Sequence, residues 1–216
     1  MSPTADTVAD RVLVGRQASH FTRVVRMVAA ELGVPLRLSA NTDLMSLDPA
    51  DYGGHPALRL PVLLRGEDAL YGCLNICRVL AQESGRRQDF VLPEDGLRAT
   101  QLNACEIVLN AMNMQTDLVI HEVVAKRPAD ALSAKRRQGL SNSLQWLDAR
   151  IDALVAELPA RVTSFLEVSL FCLMTHIPYR NPMDLSNFAR LDHFTRRFGE
   201  RASALATPFG FDAPRR

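Results

Sequence analysis

No run of this sequence stays apolar for the roughly 20 residues needed to cross a bilayer. The longest candidate, Val162 to Ile177, is broken by Ser164, Glu167, Thr175 and His176, so no membrane span is expected. An excess of charge of one sign is also missing. The 25 basic and 24 acidic residues leave a net charge of +1, which gives no electrostatic footprint for nucleic acid or an anionic surface. There are four cysteines, Cys73, Cys77, Cys105 and Cys172, none in a C-x-x-C pair and none beside histidines at zinc-ligand spacing. A disulfide scaffold and a structural metal are thereby set aside, and the cysteines read as reduced core residues. Met1 to Asp10 carries acidic residues and no apolar segment of the secretory kind, so a cytoplasmic protein is expected. Internal repeats and low-complexity tracts are absent.

What is present is a chain of 216 residues, 47% hydrophobic, enough for a substantial core in one large or two small domains. Its first part alternates short apolar runs with helical patterns, the signature of α/β structure. Arg11 to Gly15 predicts a strand, and Phe21 to Leu32 a helix stopped by Gly33. A brief strand follows at Leu36 to Leu38, then an irregular stretch from Asn41 to His55. Val62 to Leu64 and Ala69 to Tyr71, separated by Arg65-Gly66-Glu67-Asp68, predict a hairpin. A helix over Cys73 to Ser84 ends this region. These readings give domains at residues 10–84 and 96–216, with a polar linker at 85–95.

Beyond the linker no strand pattern is found, and the apolar period becomes helical. Cys105, Val108, Met112, Val119 and Val123 mark one helix. Leu140, Leu144, Leu147, Ile151, Leu154 and Leu158 mark a second, read as one continuous stripe, and Pro128 and Pro159 close the two. Ser164 and Glu167 have capping-box spacing, with the Glu167 side chain reaching back to the backbone, before a helix at Val168 to Thr175. Asn187 to Arg201 predicts a last helix, and the tail from Thr207 is irregular.

Several local strings carry a resemblance. Ser19-His20-Phe21-Thr22-Arg23-Val24-Val25-Arg26, His55-Pro56-Ala57-Leu58-Arg59-Leu60-Pro61-Val62-Leu63, Leu70-Tyr71-Gly72-Cys73-Leu74-Asn75-Ile76 and Tyr179-Arg180-Asn181-Pro182 occur in the order and at the spacing seen in soluble glutathione transferases. The second string is similar to that family's Asn-Pro-x-Gly-Lys-Val-Pro-x-Leu segment, in which the last proline follows a cis peptide bond. In the third, Gly72 and Cys73 stand where the family has Glu-Ser. The resemblance spans nearly the whole chain. It implies a thioredoxin-like α/β N-terminal domain, an all-α helical-bundle C-terminal domain, glutathione as co-substrate and a two-fold homodimer.

The resemblance also implies roles for single residues. Ser19 becomes the group that stabilises the glutathione thiolate. The backbone of Leu60, before Pro61, pairs with the cysteinyl part of glutathione. Gly72 and Cys73 occupy the γ-glutamyl position. A free thiol ionises near about 8.5, so a hydroxyl donor at a helix N-terminus would favour the anion. Taken as an isolated residue, Ser19 reads as an N-cap or loop serine, and Pro61 as an ordinary trans proline at a strand start. Neither Gly72 nor Cys73 supplies a carboxylate or hydroxyl, and the lost charge-assisted bond costs roughly 1.5–3 kcal/mol. Cys73 has two readings, a buried small hydrophobe or a thiol whose pKa is lowered by the helix start and which exchanges disulfides with glutathione. His20 lacks an orienting carboxylate and reads as a loop histidine. Lys135-Arg136-Arg137 reads as a solvated helix face.

The implied activity is conjugation of glutathione to a small apolar electrophile held between the two domains. The alternatives are a non-catalytic binding or interaction protein of the same fold, or disulfide exchange through Cys73.

Overall fold

Two valines and a leucine give Arg11–Gly15 the β-branched, apolar character of an interior strand, and β1 forms there. The computed structural model describes residues 11–181 and 183–213. The stretch Met1 to Asp10 and Pro182 of the fourth matching string lie outside the described residues. After β1 come α1 (His20–Leu32), β2 (Arg37–Ala40), a 3-10 turn (Pro49–Tyr52), β3 (Val62–Arg65), β4 (Asp68–Tyr71) and α2 (Cys73–Glu83). The sheet order is β2-β1-β3-β4, with β2 parallel to β1 and the other two pairings antiparallel. This is the thioredoxin-like arrangement expected from the sequence.

The described chain divides into two compact units. One takes the residues up to Phe90 together with those from Leu205 onward, and the other is Val91–Ala204. In the first unit α1 and α2 pack together. Val24, Val25, Met27 and Val28 of α1 and Ile76, Cys77 and Leu80 of α2 are buried, as are Leu13, Val62 and Leu63 of the sheet. Burying one such aliphatic side chain contributes about 1.5–3 kcal/mol. Glu83, at the end of α2, pairs with Arg11 of β1 at 3.3 Å and with Arg65 of β3. Gly33 stops α1 with φ 71°, the left-handed ending its position predicted.

The stretch read as linker holds a 3-10 turn at Arg87–Asp89 and a two-residue strand, β5 (Phe90–Val91). The second unit contains α3 (Ala99–Leu118) continued by a π-helical turn (Val119–Val124), α4 (Ala131–Asp148), α5 (Ile151–Ala156), β6 (Thr163–Ser164), α6 (Phe165–Arg180) and α7 (Ala189–Gly199), and α8 (Ala202–Ala206) straddles the boundary back to the first unit. Every residue of α6 from Phe165 to Met174 is buried, and a helix apolar on all sides belongs at a core. α3 packs against both α6 and α4.

Several sequence expectations change here. The continuous stripe from Leu140 to Leu158 is buried as expected, but the helix breaks between α4 and α5. Arg150, at φ −128° and ψ −10°, leaves the helical conformation there, and just before it the Asp148 carboxylate accepts the N–H groups of Arg190 and Leu191 at the start of α7, at 3.0 and 2.9 Å. Short strand β6, which no pattern announced, precedes α6. The α6 cap uses Ser164 as predicted, accepting from Glu167 N–H at 3.1 Å. The Glu167 carboxylate does not return to the backbone: it takes the Ser164 hydroxyl at 2.8 Å and Arg161 at 3.2 Å. Lys135-Arg136-Arg137 is not merely solvated, since Arg136 pairs with Asp117 at 3.0 Å and Arg137 with Glu122 at 2.5 Å. Burial alone would raise the Glu122 pKa, but hydrogen bonds from Arg137 and Asn181 bring it below the usual carboxylate value.

Candidate functional site

Strand register decides which loops meet in the first unit. Val14 pairs with Val62, and Val62 pairs in turn with Tyr71. The C-terminal end of β1, the N-terminal start of β3 and the C-terminal end of β4 therefore lie side by side. The chain leaving β1 reaches Ser19, the chain entering β3 is Leu60-Pro61, and the chain leaving β4 is Gly72-Cys73. Five positions from three separate strings are thus brought to one end of one sheet.

The β1–α1 turn is built around a close approach. A Cβ on Gly15 would sit 2.6 Å from Thr22 Oγ1 and 2.7 Å from Thr22 Cγ2, so only glycine fits without rearrangement. With that space open, Thr22 Oγ1 accepts the Arg16 N–H at 3.2 Å, and Ser19 N–H donates to Arg16 C=O at 3.1 Å. Ser19 is the N-cap of α1, in extended conformation, and its Oγ accepts the Thr22 N–H at 3.3 Å. That bond uses a lone pair and leaves the hydroxyl proton to donate elsewhere. The N-cap reading and the thiolate-donor reading are therefore compatible in geometry. His20 is not a loop residue: it is the first residue of α1, only 1% exposed, with its ring edge-on to Phe21 at 4.8 Å. Its place follows from Ser19, which as N-cap makes the next residue the first of the helix.

The peptide bond between Leu60 and Pro61 is cis, as the matching string led one to expect. Pro61 is buried and Leu60 half-buried. The β1–β3 ladder begins at Val62, and among the described residues neither the N–H nor the C=O of Leu60 is taken by another backbone group. Just upstream, Leu58 has φ 52°, a left-handed conformation that costs a residue with a Cβ about 1–2 kcal/mol. In the family's version of the string glycine stands at that place.

On the third side, Gly72 has φ 86° and ψ 136° and gives α2 no side-chain cap, so the first amides of α2 point out without a side-chain partner. Asn75 donates to Tyr71 C=O at 3.1 Å and accepts from Arg78 at 3.0 Å. Tyr71 itself donates to Gly54 C=O at 3.2 Å and lies 4.5 Å from the His55 ring, which holds the end of β4 against the loop before Pro61. Cys73 is 6% exposed. Burial pushes its thiol well above the ordinary cysteine value, and the neighbouring Cys77 thiol adds to this. The lowered pKa that a helix start can confer on a thiol is not found here, because desolvation is the larger effect.

Among the described residues no group of three or more His, Cys, Asp or Glu side chains could hold a metal ion. No helix among them is long and apolar enough to cross a membrane.

Residues 13–88 match the family of the glutathione S-transferase N-terminal domain. No curated protein matches the sequence. Among solved structures, the chain is similar to a glutathione transferase family member from Pseudomonas fluorescens with bound S-(propanoic acid)-glutathione. Identity is 21%, coverage 92% of this chain and 99% of that one, and the TM-score 0.72. It is likewise similar to a glutathione S-transferase from Methylobacillus flagellatus with glutathione bound, at 19% identity, 92% and 98% coverage and a TM-score of 0.73. A delta-class glutathione transferase from Nilaparvata lugens gives 20% identity, 92% and 90% coverage and a TM-score of 0.67.

Proposed function

Because residues 13–88 match the glutathione S-transferase N-terminal domain and the chain has the glutathione transferase fold, we propose that it binds glutathione across the end of its sheet and conjugates it through its sulfur to a small apolar electrophile. The observation that carries the reading is the register that puts Ser19, Leu60 and Cys73 at one end of the β1, β3 and β4 strands. Glutathione or a glutathione derivative bound in solved structures of the same fold supports the ligand class.

In this reading Leu60 offers its unengaged N–H and C=O to the cysteinyl backbone of glutathione, as an added strand would take them. The uncapped amides at the start of α2 receive the γ-glutamyl carboxylate, favoured by the positive end of the helix. Ser19 Oγ–H donates to the sulfur, lowering the thiol pKa from about 8.5 toward neutrality. The thiolate attacks the electrophilic carbon, a C–S bond forms, and the leaving group departs with the bonding electrons. The reading includes a two-fold homodimer in the cytoplasm.

Gly72 and Cys73 weaken this grip. Without the carboxylate and hydroxyl of a Glu-Ser pair, roughly 1.5–3 kcal/mol of binding is absent, about one to two decades in affinity. That substitution favours a second reading, a binding or interaction protein of this fold without turnover. Disulfide exchange through Cys73 has less support, because a buried, protonated thiol is a poor nucleophile. Calorimetric titration with glutathione, followed by a conjugation assay with an aryl halide, tests the two readings. Saturable heat with conjugation supports the transferase, and heat without conjugation supports the binding protein. No heat at millimolar glutathione sinks the transferase and leaves the interaction protein.

A further inference from the structure

From Pro208 to Ala213 the described chain has no regular secondary structure, yet it is fastened to the rest of the first unit at three places within four residues. The guanidinium of Arg23, in α1, lies 4.4 Å from the centroid of the Phe209 ring. Gly210 approaches so closely that a Cβ there would be 3.1 Å from Gln17 Oε1. The Asp212 carboxylate accepts the backbone N–H of Gln17 with both oxygens, at 3.0 and 3.4 Å. Gln17 and Asp212 are 195 positions apart in sequence, so a long-range contact closes on the turn that precedes α1.

Gln17 stands two residues before Ser19. Within the turn, Arg16 N–H and Ser19 N–H are satisfied by Thr22 Oγ1 and Arg16 C=O, groups of the same β1–α1 segment. The Gln17 N–H is satisfied from elsewhere, by the Asp212 carboxylate 195 positions away in the sequence. A hydroxyl that must meet a sulfur has little tolerance, since a displacement of about 1 Å can cost roughly a hundredfold in rate. We propose that Asp212 is a positioning residue for Ser19: by holding the Gln17 amide it fixes the turn that aims the Ser19 hydroxyl, and it makes the C-terminal segment part of the thiolate-stabilising apparatus. The proposal rests on the role given to Ser19 above. It assigns Asp212 no contact with glutathione or the electrophile.

The test compares the full chain with Asp212→Ala and Asp212→Asn, in steady-state conjugation of an aryl halide and in amide hydrogen exchange at Gln17. Asp212→Ala is expected to lower kcat about tenfold and to leave the KM for glutathione within about twofold, since a misaimed hydroxyl leaves less of the bound thiol ionised while the backbone groups of Leu60 and α2 that hold the tripeptide are untouched. Asp212→Asn keeps one oxygen acceptor and should recover most of the lost rate. Exchange at Gln17 should quicken in the alanine variant and much less in the asparagine variant. An unchanged kcat in Asp212→Ala, or a raised KM at constant kcat, overturns the proposal while the glutathione reading stands. A wild-type chain that neither binds nor conjugates glutathione removes the role of Ser19 and this one with it, and a protected Gln17 amide then records a purely structural tie.

Discussion

Val14 stands opposite Val62 across the β1–β3 ladder, and this single pairing fixes the neighbourhood of the site. Were β3 to slip by one residue, every side chain of the strand would change faces. Val62 and Leu63 point to opposite faces and are both fully buried, so a slip would force each face to pack side chains of another shape, and this packing holds Leu60 and Pro61 beside the turn to Ser19.

Replacing Ser19 removes two things at once, an N-cap and a thiolate donor, and the choice of variant separates them. Ser19→Ala should lose about 0.5–2 kcal/mol of stability, whereas Ser19→Gly should lose only a few tenths. Both should lower kcat by roughly ten- to hundredfold, the equivalent of a hydrogen bond to a charged group at about 1.5–3 kcal/mol. Thermal unfolding beside conjugation kinetics checks this. Full activity in Ser19→Gly would remove Ser19 from its role.

Cys73→Ser returns a hydroxyl to the γ-glutamyl side in a space already sized for it. A neutral hydrogen bond is worth about 0.5–1.5 kcal/mol net, so calorimetry should find glutathione bound about two- to tenfold more tightly than by the parent chain. Weaker binding would mean that the hydroxyl does not reach the ligand.

Gly15→Ala tests the turn itself. Its new Cβ would lie 2.6 Å from Thr22 Oγ1, and overpacking of this kind costs about 1–3 kcal/mol. The melting temperature should fall, and conjugation should fall with it at temperatures where the variant is still folded, because the displaced Thr22 carries the turn that ends at Ser19. A normal melting temperature would show that the approach is looser than the geometry implies.

Burial pushes the Cys105 thiol up to about 12, well above an unfolded value of about 8.5. The folded state therefore holds this proton more tightly than the unfolded one. The stability this contributes is complete below the unfolded pKa and is lost as pH rises from about 8.5 toward about 12. Chemical denaturation at pH 7 and pH 10 should show a smaller alkaline loss for Cys105→Ala than for the parent, and equal losses would contradict the assignment.

The sequence made legible what is decided over short distances. β1, the Gly33 stop, the hairpin and the start of α2 depend on neighbours a few residues away, and their boundaries emerge within a residue or so. β2 begins at Arg37 instead of Leu36 because its parallel pairing with β1 sets its start. The break after Asp148 carries no local signal in an unbroken apolar stripe, and the carboxylate beside it is engaged by amides more than 40 positions away. His20 looked like a loop residue because the pattern starts the helix at Phe21, one residue after the start that the Ser19 cap sets. Ser19, Leu60, Pro61, Gly72 and Cys73 were reached through matching strings, and their common location follows from strand register. Asp212 carried no signal, as nothing in spacing or composition links it to Gln17.

The central claim is that glutathione lies along the sheet end formed by Ser19, Leu60 and Cys73. Titrating the isotope-labelled chain with glutathione while following backbone amide resonances tests it most directly. The amides of Ser19, Leu60 and Cys73 should shift together, saturably and with one dissociation constant. If these three stay fixed while glutathione binds, or if saturating glutathione moves no resonance, the account is contradicted.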